Sequence, residues 1–220
     1  MGGVPRKLAW LLALGVGAAP GVLLAAGRAA PRLGTAVDRV VAVVDKQVIT
    51  LSELLVETRV ALVYKAGETA AAADLDDDLL KTFTDYVVNQ TLVSLQARRL
   101  GATEVSQAEI DSELLRFSLQ FRSNDSYRAF LRRFDITEEA LRRLAQRNLR
   151  NDKYMQERLR LRLGDSGEGV DSPRYQEALR KWLGELRQSA EVRLLGPTGE
   201  LELLDSDSSV HEAPVQQGKP

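Results

Sequence analysis

The chain has 220 residues, with 30 Lys and Arg against 31 Asp and Glu, a formal net charge of −1, no cysteine and one histidine. Its length suits one medium domain with extensions, and the balanced charge supplies no global field that would call for nucleic acid. The missing cysteines exclude disulfides, thiolate nucleophiles and Cys-ligated zinc; with 5% aromatic residues, the core must be built mostly from Leu, Val and Ala.

The first 27 residues have the form of a signal peptide. Arg6-Lys7 is the positive region, Leu8 to Ala26 is apolar with a break at Pro20-Gly21, and Ala25, Ala26 and Gly27 suit a signal peptidase. A retained membrane anchor is the alternative, since the run is just long enough to span a bilayer. Gly15, Gly17 and the Pro20-Gly21 break favour cleavage. Either way the folded part is expected outside the cytoplasm, in the periplasm. Residues 28–36 read as a linker.

Val40 to Val44 reads as a strand, because β-branched side chains lose χ1 freedom in helices and pack well on a pleated surface. Both of its faces are apolar, which predicts cover on both sides. Asp45-Lys46-Gln47 is a hairpin loop and Val48 to Thr50 the stub of a second strand. Thr50 and Glu53 then form a capping box, so a helix begins at once and runs from about Ser52 to Lys65. Gly67 to Asp78 is expected to be a mobile Ala- and Asp-rich connection.

A long helix follows from about Leu79 to Leu100, with Leu80, Phe83, Val87 and Leu95 on its core face and Gly101 as its stop. Ser106 and Glu109 form a second capping box for a helix carrying Ile110, Leu114, Phe117 and Phe121. A short helix starts at Asn124-Asp125-Ser126, with Tyr127, Phe130, Leu131 and Phe134 on one face. Thr137 caps another long, Arg-rich helix whose stripe is Leu141, Leu144, Leu149, Met155 and Leu159. Asn148 and Asp152 interrupt that stripe, so either a neighbouring helix supplies hydrogen-bond partners or the stripe is solvated there. Residues 164–173 are a flexible link. Pro173 opens a last helix with Tyr175, Leu179, Trp182, Leu183 and Leu186, and Glu191 to Leu195 reads as a strand. Residues 196–220 read as a disordered acidic tail.

The stub at Val48 to Thr50 is too short to stand alone. The only other strand-like segment, Val192 to Leu195, lies at the far end of the fold. The two ends are therefore expected to pair in a small antiparallel sheet, with the helices between forming the body: a mainly α fold near the minimum strand number for a stable sheet.

Catalytic constellations are missing from the sequence. His211 lies in the tail and lacks the fixed, oriented setting a general base needs. No glycine-rich loop is followed by Lys-Ser/Thr, and no cofactor or metal site is expected. Asp76-Asp77-Asp78 reads better as a solvated helix N-terminus than as a cation site.

Val37 to Asp45, then Val48-Ile49-Thr50 and Ser52-Glu53-Leu54, resemble the start of the mature SurA, PrsA and PpiD family of periplasmic chaperones. The resemblance continues through Arg98-Arg99-Leu100-Gly101, Val105 to Asp111 and Phe130-Leu131. It reappears in Tyr175 to Leu195, with Trp182-Leu183 and Ala190 to Leu195. It implies one chaperone domain over 37–195, in which the part over 37–163 is completed by the helix and strand over 174–195. It also implies that the domain binds unfolded outer-membrane or secreted proteins without ATP. Many members insert parvulin-type prolyl isomerase domains; here Leu163 and Tyr175 are joined by a short link only, so isomerase activity is not expected.

A holdase needs apolar surface that is not consumed by its own core. The candidate client contacts are the apolar residues off the core stripes: Val56, Val60, Tyr64, Leu115, Leu119, Tyr154 and Leu161. A rival set, Phe117, Phe121, Tyr127, Phe130 and Phe134, either lines a cleft or makes the core. Three functional readings stand: an isomerase-free chaperone, a prolyl isomerase by family association, and an envelope scaffold with one fixed partner.

Overall fold

The computed structural model describes residues 38–101, 104–164 and 169–195 and the backbone of 201–203. The expected signal peptide or anchor and the linker over 28–36 lie outside the described residues, as do 165–168 of the expected flexible link and 196–200 and 204–220 of the expected tail, His211 included.

Strand β1 (Val40–Val44) and strand β2 (Gln47–Thr50) form the hairpin. Asp45 turns the corner at a φ of 54°, a left-handed conformation that Asp tolerates better than most residues. Thr50 closes β2 and caps the first helix: its hydroxyl accepts from Glu53 N–H, and Glu53 Oε2 accepts from Thr50 N–H at 3.0 Å. The capping box read from the sequence is thus present.

Helix α1 (Leu51–Ala72) is longer than expected. It breaks at Gly67, where φ is 83° and ψ 175°, a backbone conformation essentially confined to glycine. After the break the chain returns to helix up to Ala72. Arg59 Nη1 donates to the carbonyl of Ala71 at 2.6 Å and also to that of Ala73, holding the short segment back against the main helix. The segment from Gly67 expected to be a mobile connection is therefore mostly helical. The helix propensity of Glu68 to Ala72, joined to this arginine anchor, outweighs the single glycine.

Helix α2 (Asp77–Arg99) is capped by Asp76, whose Oδ1 accepts from Leu79 N–H at 2.8 Å. This is the helix N-terminus anticipated for the three aspartates. Helix α3 (Gln107–Ser118) carries the second capping box, Ser106 with Glu109. It ends before Phe121, which sits in the turn to helix α4 (Asn124–Arg133) and still reaches the core. Helix α5 (Glu138–Leu163) and helix α6 (Pro173–Gln188) complete the body.

Strand β3 (Val192–Leu195) pairs antiparallel with β1, in the register Ala42 to Leu194, Val43 to Arg193 and Val44 to Val192. The two ends of the fold are joined as expected. Asp45 strengthens the joint: its N–H donates to Glu191 O at 2.8 Å, and its Oδ1 accepts from Glu191 N–H at 3.0 Å. One strand was not expected. Leu201–Leu203 forms β4 on the far side of β3, giving the antiparallel order β2-β1-β3-β4. The acidic, polar composition after Gly196 hid a three-residue apolar alternation, Leu-Glu-Leu, which suffices beside a strand already in place.

Helix α2 is the axis of the molecule, packing on α1, α5, α6 and β1. Val87, Val88, Val93 and Ala97 on α2 are buried almost completely, as are Ala42 and Val44 of β1. Each fully buried Val or Leu contributes about 1.5–3 kcal/mol.

Candidate functional site

Two cavities flank the ion pair of buried Glu57 on α1 and half-buried Arg147 on α5, and Glu57 lines both. Arg147 Nη1 donates to Glu57 Oε1 at 2.7 Å, and Nη2 lies 2.6 Å from Oε2. Burial works to lower the arginine pKa; the Glu57 carboxylate overcomes this and raises it. The two side chains hold each other in place.

The first cavity is a small apolar cleft of about 40 Å³ between α1, α3 and α5, with Tyr86 of α2 behind it. Val60, Ala61 and Tyr64 form one wall, Leu114 and Phe117 the second, and Leu141, Leu144, Ala145 and Leu149 the third. Its polar fringe is Glu57, Glu113, Asn148 and Asp152. Tyr64 stands at the edge: its ring packs on Phe117 at 5.5 Å, and its hydroxyl donates to Glu113 Oε1 at 2.8 Å. Burial and the nearby Glu113 push its pKa up, so the hydroxyl remains a neutral donor.

The second cavity, about 170 Å³, lies between β2 and α2. Gln47, Val48 and Ile49 form one side and Thr91, Ser94, Leu95 and Arg98 the other. It is distinctly more polar than the first.

The expected client contacts divide into three groups. Leu115, Leu119 and Leu161 are exposed at 60%, 71% and 62%, so they present free apolar surface. Val56 and Tyr64 are half-buried against the core. Val60 and Tyr154 are core residues, 7% and 5% exposed, and offer a client little surface. A helical stripe misassigned them because α1 and α5 are covered on more than one side. Tyr154 packs on Trp182 of α6, and its hydroxyl accepts from Arg158 Nε at 3.1 Å. Of this set, Val60 and Tyr64 line the apolar cleft.

The rival aromatic set makes the core. Phe117, Phe121 and Phe130 are buried, and Tyr127 and Phe134 pack against them half-buried. Ring centroids run at 5.4 Å from Phe117 to Phe121, 5.1 Å to Phe130 and 4.9 Å on to Phe134. Of these, Phe117 alone reaches the cleft.

Two polar residues of α5 are buried, Asn151 and Asp152. The more buried is Asn151, which the stripe did not single out. Its Nδ2 donates to the side chain and main chain of Gln90 on α2, at 2.6 and 3.0 Å. Asn148 is half-buried and accepts from Arg147 Nη2 at 3.2 Å. The Glu57–Arg147 pair also escaped the sequence reading. The available signal was Glu57 itself, between Leu54 and Ala61 at core spacing on a helix.

The family model described as the SurA-like N-terminal domain matches residues 6–155. No curated protein matches the chain. The match takes in the hairpin, α1 to α4 and most of α5; α6 and β3, which close the fold, lie beyond it. The chain belongs to the SurA-like N-terminal domain family.

Proposed function

We propose that the protein is a chaperone of the cell envelope that binds unfolded outer-membrane or secreted proteins, holds them without ATP, and releases them unchanged. Family membership supports a chaperone-like role and the binding of protein clients in general. The observation that carries the finer reading is the set of exposed leucines, Leu115, Leu119 and Leu161, on a body whose described aromatic residues are buried in the core or packed half-buried against it. Such surface suits brief contact with many chains. One large apolar side chain contributes about 1.5–3 kcal/mol when fully buried, and the ordering of the client offsets much of that. Binding is then weak and reversible, as a carrier without an energy source requires.

The link from Leu163 to Pro173 is too short to hold an inserted isomerase domain. Proline isomerisation is therefore left to other proteins in this reading, and the periplasm is where the signal-like N-terminus would deliver the chain. The test is aggregation of several unrelated unfolded outer-membrane proteins, diluted from denaturant with and without the purified chain. Suppression for all of them is expected. Capture of one stoichiometric partner and no suppression would favour a fixed scaffold instead, and acceleration of proline isomerisation in a model peptide would favour an enzyme.

A further inference from the structure

The edge of β2, unpaired among the described residues, and the polar cavity beside it have the chemistry of a strand-docking site. β2 is the outermost strand of the sheet. Its hydrogen-bonding direction follows from the opposite side of the hairpin. Asp45 N–H donates to Glu191 O, so the main chains of Asp45 and Val43 face β3, and those of Ala42 and Val44 face β2. Ile49 and Gln47, their partners, turn their main-chain groups inward. Val48 lies between them, so its N–H and C=O point out from the sheet. Its side chain is 41% exposed.

Gln47, Val48 and Ile49 all line the cavity. Side chains of consecutive strand residues point to opposite faces, so a cavity touching all three runs along the strand's edge. Its far wall is α2, and its volume, about 170 Å³, has room for a side chain.

That wall holds an unanswered donor. Buried helical hydroxyls here normally bond the carbonyl one turn back: Thr58 to Leu54 O at 2.7 Å and Thr91 to Val87 O at 2.9 Å. Ser94 does not. The carbonyl one turn back, Gln90 O, accepts from Asn151 Nδ2. Ser94 is 6% exposed, lines the cavity, and its Oγ has no partner. Arg147 Nε, on another residue lining the same cavity, is likewise without an acceptor. The cavity's carboxylates are engaged, Glu53 by Thr50 and Glu57, at Oε1, by Arg147. Glu57 Oε2 makes no hydrogen bond, so the space presents two unanswered donors and one unanswered acceptor, the complement of a carboxamide.

We propose that an extended segment of an unfolded client docks along β2, pairing its main chain with Val48 and placing a carboxamide side chain against Ser94 and Arg147. The sheet's other edge shows how little is needed, since β3 carries a strand of only three residues. The pairing is confined to Val48, because Thr50 N–H is taken by Glu53. This keeps the contact weak and indifferent to most of the client's sequence. The proposal rests on the client-binding reading and names how part of a client is held.

The test uses the full chain and a short fluorescent Val/Thr peptide with one central Asn. Two versions of the peptide carry N-methyl groups on alternate residues, one set in each register. Methylation in one register is expected to weaken binding roughly five- to tenfold, the worth of one or two hydrogen bonds, and in the other to change it little. Ser94→Ala is expected to reduce the preference for central Asn over central Ala, leaving the part owed to Arg147, and to leave the methylation pattern intact. Equal binding of both methylated peptides would overturn the docking mode, as would an Asn preference undiminished in the variant; suppression of client aggregation would then still support the chaperone reading. Slow exchange of the Val48 amide without peptide would also overturn it, since the chain's own terminal residues would then fill the edge. Failure of both peptide binding and aggregation suppression would remove the chaperone reading as well.

Discussion

Glu57 and Arg147 are 90 residues apart in sequence and meet as a double contact inside the helical body, at 2.7 and 2.6 Å. Glu57 is 7% exposed and the Arg147 side chain 25%. A pair so placed gains little over well-packed apolar residues, but breaking it leaves one charge buried and unpaired. Arg147→Met is therefore expected to cost about 2–4 kcal/mol, reduced from a fully buried case by the arginine's partial exposure. Adding Glu57→Leu should return most of that loss. Urea unfolding of both single variants and the double variant measures it, and a double variant no more stable than Arg147→Met would contradict the account.

The clasp between the ends of the chain depends on Asp45. It sits at a left-handed φ of 54° and bonds Glu191 through both its main chain and its carboxylate. Asp45→Ala loses the side-chain acceptor and places a residue with little tolerance for that φ, at a cost of about 1–3 kcal/mol. Asp45→Asn keeps the acceptor and the tolerance, and should cost less than about 1 kcal/mol. Equal losses in the two variants would show that charge toward Arg99, 3.3 Å away, matters more than the turn.

Much of this architecture is legible in the sequence because local rules and long-range needs agree. The run of valines, the Thr50 and Ser106 capping boxes and Pro173 fix where strands and helices begin. An incomplete hairpin implies a distant third strand, and Val192 to Leu195 is there. The misses share one cause: periodicity reports one face of a helix, and these helices are covered on several. Val60 and Tyr154 look free along a single stripe and are buried by a second neighbour. The Glu57–Arg147 pair and the orphaned Ser94 hydroxyl belong to no local pattern, since each depends on which side chain arrives from another helix.

Gly67 is a narrower case of backbone deciding. Nothing lies within 4 Å of where a Cβ would stand, so space is not the obstacle. The conformation is, with φ at 83° and ψ at 175°. Gly67→Ala is expected to cost about 1–3 kcal/mol from this strain alone. The loss should fall on the end of α1, and exchange of amides in Glu68 to Ala72 should quicken before the rest of the molecule responds.

Glu109 makes stability depend on acid. The Lys153 ammonium, 2.8 Å away, together with the main chain and hydroxyl of Ser106, lowers its pKa from 4.5 to about 2. A carboxyl whose pKa falls on folding stabilises the native state fully above its unfolded value. That contribution is lost as pH drops toward the folded value. The stability advantage of the natural chain over Glu109→Gln should therefore be constant above about pH 5 and shrink steadily toward pH 2. An advantage that grows on acidification would reverse the sign and remove the Lys153 contact as its cause.

Leu115 and Leu119 stand one turn apart on the outer side of α3, at 60% and 71% exposure. Their neighbour Phe117 faces the opposite way and is 1% exposed, so α3 separates a core face from a free one. Replacing both leucines by Gln should leave unfolding within about 0.5 kcal/mol of the natural chain, as for most surface changes. If they meet clients, each removes apolar area that would be buried in the complex, and suppression of client aggregation should require several times more protein. Phe117→Ala would act oppositely, lowering stability by about 3–5 kcal/mol through the cavity it opens. Unaltered suppression by the double Gln variant, with its stability intact, would move the client surface away from α3 and toward Leu161 or the edge of β2.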